Sequence, residues 1–109
     1  MSKITSHILD TTCGKPAEGI VVELYLENDL ISDDISNNDG RVTSLLNHED
    51  SLSPGNYKLK FFTSAYFKTR GVESFYPIVE INFNVEAIDQ HYHVPLLLAS
   101  HGYTTYRGS

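Results

Sequence analysis

Apolar and polar residues alternate along most of the chain in short runs rich in β-branched and aromatic residues. Alternation with a period of two is typical of a strand that buries one face. Turn-forming residues such as Gly, Pro, Asn and Asp separate the runs. The pattern predicts eight strands, at residues 4–10, 20–26, 30–35, 41–45, 57–63, 78–85, 91–98 and 102–107.

Residues 63–71 depart from the strand pattern and predict one short helix. A hydroxyl residue at its start can cap the first amides, Lys68 and Arg70 lie in its last turn, and Gly71 provides a stop. Pro77 returns the chain to extended structure. Eight strands and one helix in this order indicate an all-β fold, a two-sheet sandwich with one short helix.

The chain has 109 residues and a mass of 12.2 kDa, the size of a single domain, so we expect residues 1–109 to form one. No apolar stretch approaches the roughly 20 residues that cross a bilayer, and no apolar targeting segment precedes the first strand. We therefore expect no membrane association and a cytoplasmic location.

The charge and the single thiol narrow the classes of partner. Fourteen acidic residues against eight basic ones give a net charge of -6, which repels phosphate backbones and disfavours nucleic-acid binding. Cys13 has no second cysteine to pair with, which suits a reducing compartment. We interpret Cys13 as an incidental residue beside a turn.

Side-chain parity assigns the histidines to faces of the predicted strands. In the first strand His7 shares a face with Thr5 and Leu9, opposite the isoleucines. In the seventh strand Tyr92, Val94, Leu96 and Leu98 form the core face, and the opposite face carries His91, His93, Pro95 and Leu97. A face that combines imidazoles with apolar side chains favours a groove or a subunit interface.

Three interpretations of the histidines remain open. His91 and His93 lie side by side and could bind a metal with His7 as a third ligand, but no recognisable zinc spacing completes the set, so we expect no metal. They could be ordinary polar residues, or they could act as acids and bases because imidazole titrates near neutral pH.

The segment before Arg41 superficially resembles a calcium loop, but Ile35 and Leu46 would occupy ligand positions. We interpret Asp39-Gly40 instead as a two-residue hairpin turn. A tight turn could hold Arg41 steadily enough to bind a planar anion or a carboxylate, although an exposed turn arginine without a function is the commoner outcome. No nucleophile elbow or phosphate loop is present, so any catalysis would use imidazole, guanidinium and phenol groups on water, without a cofactor.

Several motifs together resemble the transthyretin-like 5-hydroxyisourate hydrolases, enzymes of urate breakdown. They are TSHILD (5–10), GKPA (14–17), FYP (75–77), HYHVPLLL (91–98) and the terminal YTTYRGS (103–109). The terminal Tyr-Arg-Gly-Ser is the most specific, because the hormone-carrying transthyretins share the fold and lack it. One departure is Ala99-Ser100-His101, where the family usually has Ser-Pro, which implies a less rigid turn.

The resemblance implies an eight-stranded transthyretin-like sandwich assembled as a homotetramer, a dimer of dimers whose channel holds the active sites. It implies catalytic roles for His7, His93, Arg41 and Ser109, and substrate binding by His7, Arg41 and Tyr106. His91 fits a supporting position. The substrate would be a small purine derivative, hydrolysed without a cofactor. The alternatives are a transthyretin-like protein that binds a small ligand without catalysis and a purely structural sandwich.

Overall fold

Two β-sheets pack face to face in the computed structural model, which describes residues 3–46, 52–86 and 88–109. The remaining positions of the predicted 1–109 domain lie outside the described residues. The strands are β1 (Ile4–Asp10), β2 (Lys15–Pro16), β3 (Val21–Leu26), β4 (Asp29–Ile35), β5 (Arg41–Leu46), β6 (Gly55–Phe61), β7 (Val79–Val85), β8 (Tyr92–Ala99) and β9 (Gly102–Thr105). One helix, α1 (Thr63–Thr69), follows β6.

The first sheet contains β5, β1, β8 and β9 in that order, with β2 also beside β1, and the second has the order β4-β3-β6-β7. Strands β1 and β8 are parallel neighbours at the centre of the first sheet, although they lie far apart along the chain. Their inward faces join one apolar core with the second sheet, and Ile4, Ile8 and Leu96 are fully buried in it. The predicted sandwich and its core faces are confirmed.

The strand count differs from the predicted eight because Lys15 and Pro16 form a short strand of their own. They pair with Asp10 and Leu9 at the end of β1, and the sequence indicated only a turn there. Proline fits this position because a strand edge does not require its missing N–H. Within the described residues the sandwich therefore has nine strands.

The predicted Asp39-Gly40 hairpin is wrong, because β4 pairs with β3 whereas β5 pairs with β1 in the other sheet. The segment is a turn that carries the chain between sheets. The Asn37 side chain accepts hydrogen bonds from the amides of Asp39 and Arg41, at 2.9 and 3.0 Å. A two-residue hairpin turn of type I′ needs a positive φ at both of its central residues. Of Asp39 and Gly40, only Gly40 has a positive φ.

Helix α1 begins at Thr63, but the predicted hydroxyl cap is absent. Its N-cap residue is Phe62, and no side chain there caps an amide. The apolar face stabilises this short helix instead, since Tyr66 and Phe67 are buried in the core. No helix among the described residues is long and apolar enough to span a membrane.

Candidate active site

The register of three adjacent strands brings the candidate side chains to one face of the first sheet. His7 lies opposite Arg41 in the antiparallel β1–β5 pair. Thr5 lies opposite His93 in the parallel β1–β8 pair. Because Thr5 and His7 are two residues apart, both point to the face away from the core. The site is therefore built where β5, β1 and β8 run side by side.

The residues of the site line a cleft of about 190 Å³ on this face. Arg41 is exposed at its edge, and His93 is partly buried. The cleft is formed by Thr5, Ser6, Arg41, Thr43, His91, His93 and Ser109. The structure thus brings together three of the four predicted catalytic residues along its wall, and His7 lies beside them on β1.

The turn before β5 links His7 to Arg41. Nε2 of His7 lies 2.9 Å from the carbonyl oxygen of Asp39. Since a carbonyl oxygen only accepts hydrogen bonds, Nε2 carries the proton of this bond, and in the neutral ring Nδ1 holds the lone pair. The turn approaches β1 closely, since the carbonyl of Gly40 accepts a hydrogen bond from the amide of Ile8 at 2.7 Å. Gly40 permits this approach because it has no side chain. The backbone before Arg41 is thereby held against β1.

His93 is joined to β1 through a hydroxyl group. Nδ1 of His93 lies 2.8 Å from Oγ1 of Thr5, and Nε2 of His91 lies 2.9 Å from the same oxygen. The two imidazole rings are stacked with their centroids 6.2 Å apart. Burial lowers the pKa of His93 below its usual value, and charge on His91, Arg41 and His7 lowers it further. The lowered pKa favours the neutral form of the His93 imidazole near neutral pH.

The C-terminal segment packs directly on His93. The amide of Gly108 donates to the carbonyl of His93 at 2.8 Å, and a Cβ at position 108 would lie only 2.6 Å from Cδ2 of the His93 ring. The guanidinium of Arg107 lies 4.6 Å from the ring centre of Tyr92 and donates to Oε1 of Gln90 at 2.9 Å. These contacts position Ser109 at the wall of the cleft.

Tyr106 lies apart from the other predicted residues. It is 56% exposed and lines a second cavity of about 220 Å³ between the edges of the two sheets. His93 lines both cavities. Within the described parts of the chain, the one ion pair closer than 4.0 Å joins Lys58 to Glu80, so Arg41 makes no ion pair there.

Sequence reasoning missed three residues that shape the site: Thr5, Arg107 and Gly108. Thr5 could have been found from parity, since it shares the face of His7. The contact of Gly108 with the His93 ring has no local signal. Among the described residues no group of three or more His, Cys, Asp or Glu side chains is arranged to hold a metal ion.

The two-sheet sandwich is the fold of the transthyretin-like proteins, and in this chain two imidazoles and a guanidinium lie on one face of the first sheet. The chain belongs to the HIUase/Transthyretin family, whose model matches residues 4–108.

Individual relatives agree with this assignment. The chain is 44% identical to the 5-hydroxyisourate hydrolase of Halalkalibacterium halodurans, and the match covers 98% of each chain. The structure of the Klebsiella pneumoniae 5-hydroxyisourate hydrolase is 36% identical with a TM-score of 0.87, covering 97% of this chain and 98% of that one. Transthyretin from Sparus aurata has a TM-score of 0.91 at 24% identity, covering 99% and 97%, which shows the shared fold alone.

Proposed function

We propose that this protein hydrolyses 5-hydroxyisourate, opening the six-membered ring to give 2-oxo-4-hydroxy-4-carboxy-5-ureidoimidazoline. The observation that carries the proposal is the convergence of His7, Arg41 and His93 on one face, through the registers of β1 with β5 and with β8. The hydrolase relatives from Halalkalibacterium halodurans and Klebsiella pneumoniae, similar over nearly their whole length, support the same substrate.

The groups present suit attack by water on a ring carbonyl. His93 is neutral because its pKa is lowered, so it takes a proton from water while the oxygen of that water bonds to the carbonyl carbon. Arg41 stabilises the negative charge that develops on the carbonyl oxygen. The bond from that carbon to the ring nitrogen then breaks, and the proton held by His93 passes to the departing nitrogen. His7, held by Asp39, orients the water.

The remaining predicted residues complete the proposal. Ser109 closes the cleft beside Arg41, and Tyr106 contacts substrate from the second cavity, whose lining shares His93 with the cleft. No cofactor takes part, and the protein acts in the cytoplasm. It assembles as a homotetramer, a dimer of dimers: the cleft of one chain, about 190 Å³, is smaller than the roughly 300 Å³ at the low end of ligand pockets.

The direct test is to add the protein to freshly generated 5-hydroxyisourate and to follow the ultraviolet decay of the substrate. We expect decay much faster than the spontaneous reaction. Decay at the spontaneous rate contradicts the proposal, and saturable binding of a small phenolic ligand in that case identifies a transthyretin-like carrier instead.

The substitution His93→Ala tests the proposed base. General acid–base catalysis contributes about 10²- to 10⁴-fold to a rate, so we expect a loss of turnover of that order with the assembly intact by sedimentation. His101→Ala is the matched control, because His101 lies in the exposed turn between β8 and β9. Near-normal turnover of His93→Ala removes this residue from the mechanism.

A further inference from the structure

Thr5 holds a single hydroxyl proton between two imidazole nitrogens. Its Oγ1 lies within hydrogen-bond distance of both His93 Nδ1 and His91 Nε2. A hydroxyl group has one proton to donate and lone pairs to accept with. Thr5 therefore cannot donate to both histidines, so at least one of the two ring nitrogens must donate to Oγ1, and this requirement couples the tautomers of the two rings.

The local structure leaves this arrangement little freedom. Thr5 is only 7% exposed on the central strand β1, and its backbone is in register with His93. Its β-branched side chain has few rotamers. On the other side Gly108 lies so close to the His93 ring that a Cβ at this position would be 2.6 Å from Cδ2. The ring of His93 is thus fixed between a hydroxyl and the C-terminal backbone, whereas His91 is exposed to solvent.

We propose that Thr5 and His91 are positioning residues that hold His93 in the tautomer with its proton on Nδ1. In this arrangement His93 Nδ1–H donates to Thr5 Oγ1, and the Thr5 hydroxyl donates to His91 Nε2. The lone pair of His93 is then on Nε2, the nitrogen that takes the proton from water. This inference rests on the proposed function for its consequence, although the tautomer itself is independent of any substrate.

The pair also stabilises the ring after it has accepted a proton. An imidazolium carries protons on both nitrogens, so Nδ1–H keeps its bond to Thr5 while Nε2–H holds the proton for the departing ring nitrogen. Without His91 as acceptor, the Thr5 hydroxyl is free to rotate and donate to His93 Nδ1. That reversal favours the proton of neutral His93 on Nε2, so that only the minority of molecules with the Nδ1–H tautomer keeps a base at Nε2.

The first experiment measures the tautomer by ¹⁵N NMR of the histidine rings in the whole protein without substrate. We expect the Nδ1–H form of His93 in the unsubstituted protein and in Thr5→Ser, which keeps the hydroxyl. In Thr5→Val, which keeps the shape, and in His91→Ala we expect Nε2–H. An Nε2–H form of His93 in the unsubstituted protein, or the same tautomer in all four, overturns the inference whatever the activity.

The second experiment is a double-mutant cycle on turnover of 5-hydroxyisourate. We expect Thr5→Val and His91→Ala each to lower kcat about tenfold, the worth of one hydrogen bond, with KM nearly unchanged. Because both act through the same proton, the double variant is no slower than Thr5→Val alone. Multiplicative losses contradict the linkage. Absence of activity in the unsubstituted protein refutes the proposed function and leaves the NMR result to decide the tautomer.

Thr63→Val is the matched control for the loss of a buried hydroxyl. Thr63 is 1% exposed at the start of α1, and its hydroxyl makes only a 3.5 Å contact to the carbonyl of Tyr76. We expect this variant to keep both the His93 tautomer and kcat. A change of the tautomer in Thr63→Val would show that general loosening of the fold, and not the Thr5 hydroxyl, controls it.

Discussion

At the scale of single residues, Gly108 is required by contact and not by backbone conformation. A Cβ there would lie 2.6 Å from the His93 ring and 3.1 Å from Cγ of Pro95. Gly108→Ala must therefore displace the imidazole, and a misplacement near 1 Å costs about 10²-fold in rate. We expect a loss of this order in kcat for turnover of 5-hydroxyisourate. Gly102→Ala is the control, since nothing lies within 4 Å of its added Cβ; equal activity of the two variants would contradict the prediction.

The ionisation of His93 is also decided by its immediate neighbours. Burial is the largest cause of its lowered pKa, and the charge of Arg41 contributes as well. We expect an NMR titration of His93 to give a pKa below 6.5 and Arg41→Gln to raise it part of the way back. Folding lowers this pKa, so the unfolded chain binds the proton more readily than the folded chain does. We therefore expect the free energy of unfolding to decrease as pH falls below about 6.5. Lys15→Gln, on the short strand β2, is the control; an unchanged His93 pKa in Arg41→Gln would disprove the electrostatic account.

At the scale of elements, the turn from β4 to β5 sets the position of Arg41. Gly14 and Gly40 have the same φ of 75°, but a Cβ on Gly40 would overlap the carbonyl oxygen of Ile8, whereas nothing lies within 4 Å of a Cβ on Gly14. Gly14→Ala measures the left-handed strain alone, about 1–2 kcal/mol. We expect Gly40→Ala to lower the free energy of unfolding by more and to reduce kcat, because β5 must move from β1. Equal losses of unfolding free energy in Gly14→Ala and Gly40→Ala, measured with denaturant, together with an unchanged kcat of Gly40→Ala, would contradict this expectation.

The sequence predicted the strand faces and missed the connections between strands, for a physical reason. Period-two alternation is local, so parity alone assigned His7 and His93 to outward faces. Pairing is long-range: Thr5 and His93 are 88 residues apart, and no local pattern specifies that β1 and β8 run in parallel. For the same reason Asp39-Gly40 indicated a turn correctly but not which sheet the next strand joins. The close approach of Gly108 to the His93 ring is likewise a tertiary contact that no local pattern indicates.

At the scale of the whole molecule, the outward face of β1 and β8 is more apolar than a solvated sheet face requires. Leu9 and Leu97 are only partly buried on it, beside a cleft of about 190 Å³ that is smaller than most ligand pockets. A second copy of the chain packed over this face would bury the leucines and supply the missing wall. The residues that bind substrate would then act only within the assembly.

The substitution Leu97→Arg tests this arrangement. A charge buried at an interface without a partner costs several kcal/mol, so we expect the assembly to dissociate and turnover of 5-hydroxyisourate to fall with it. Sedimentation should give four times the chain mass of 12.2 kDa for the unsubstituted protein and a smaller species for the variant. Leu30→Arg is the control, because Leu30 is 52% exposed on β4 in the other sheet. A fully active single chain at any concentration would refute the shared site.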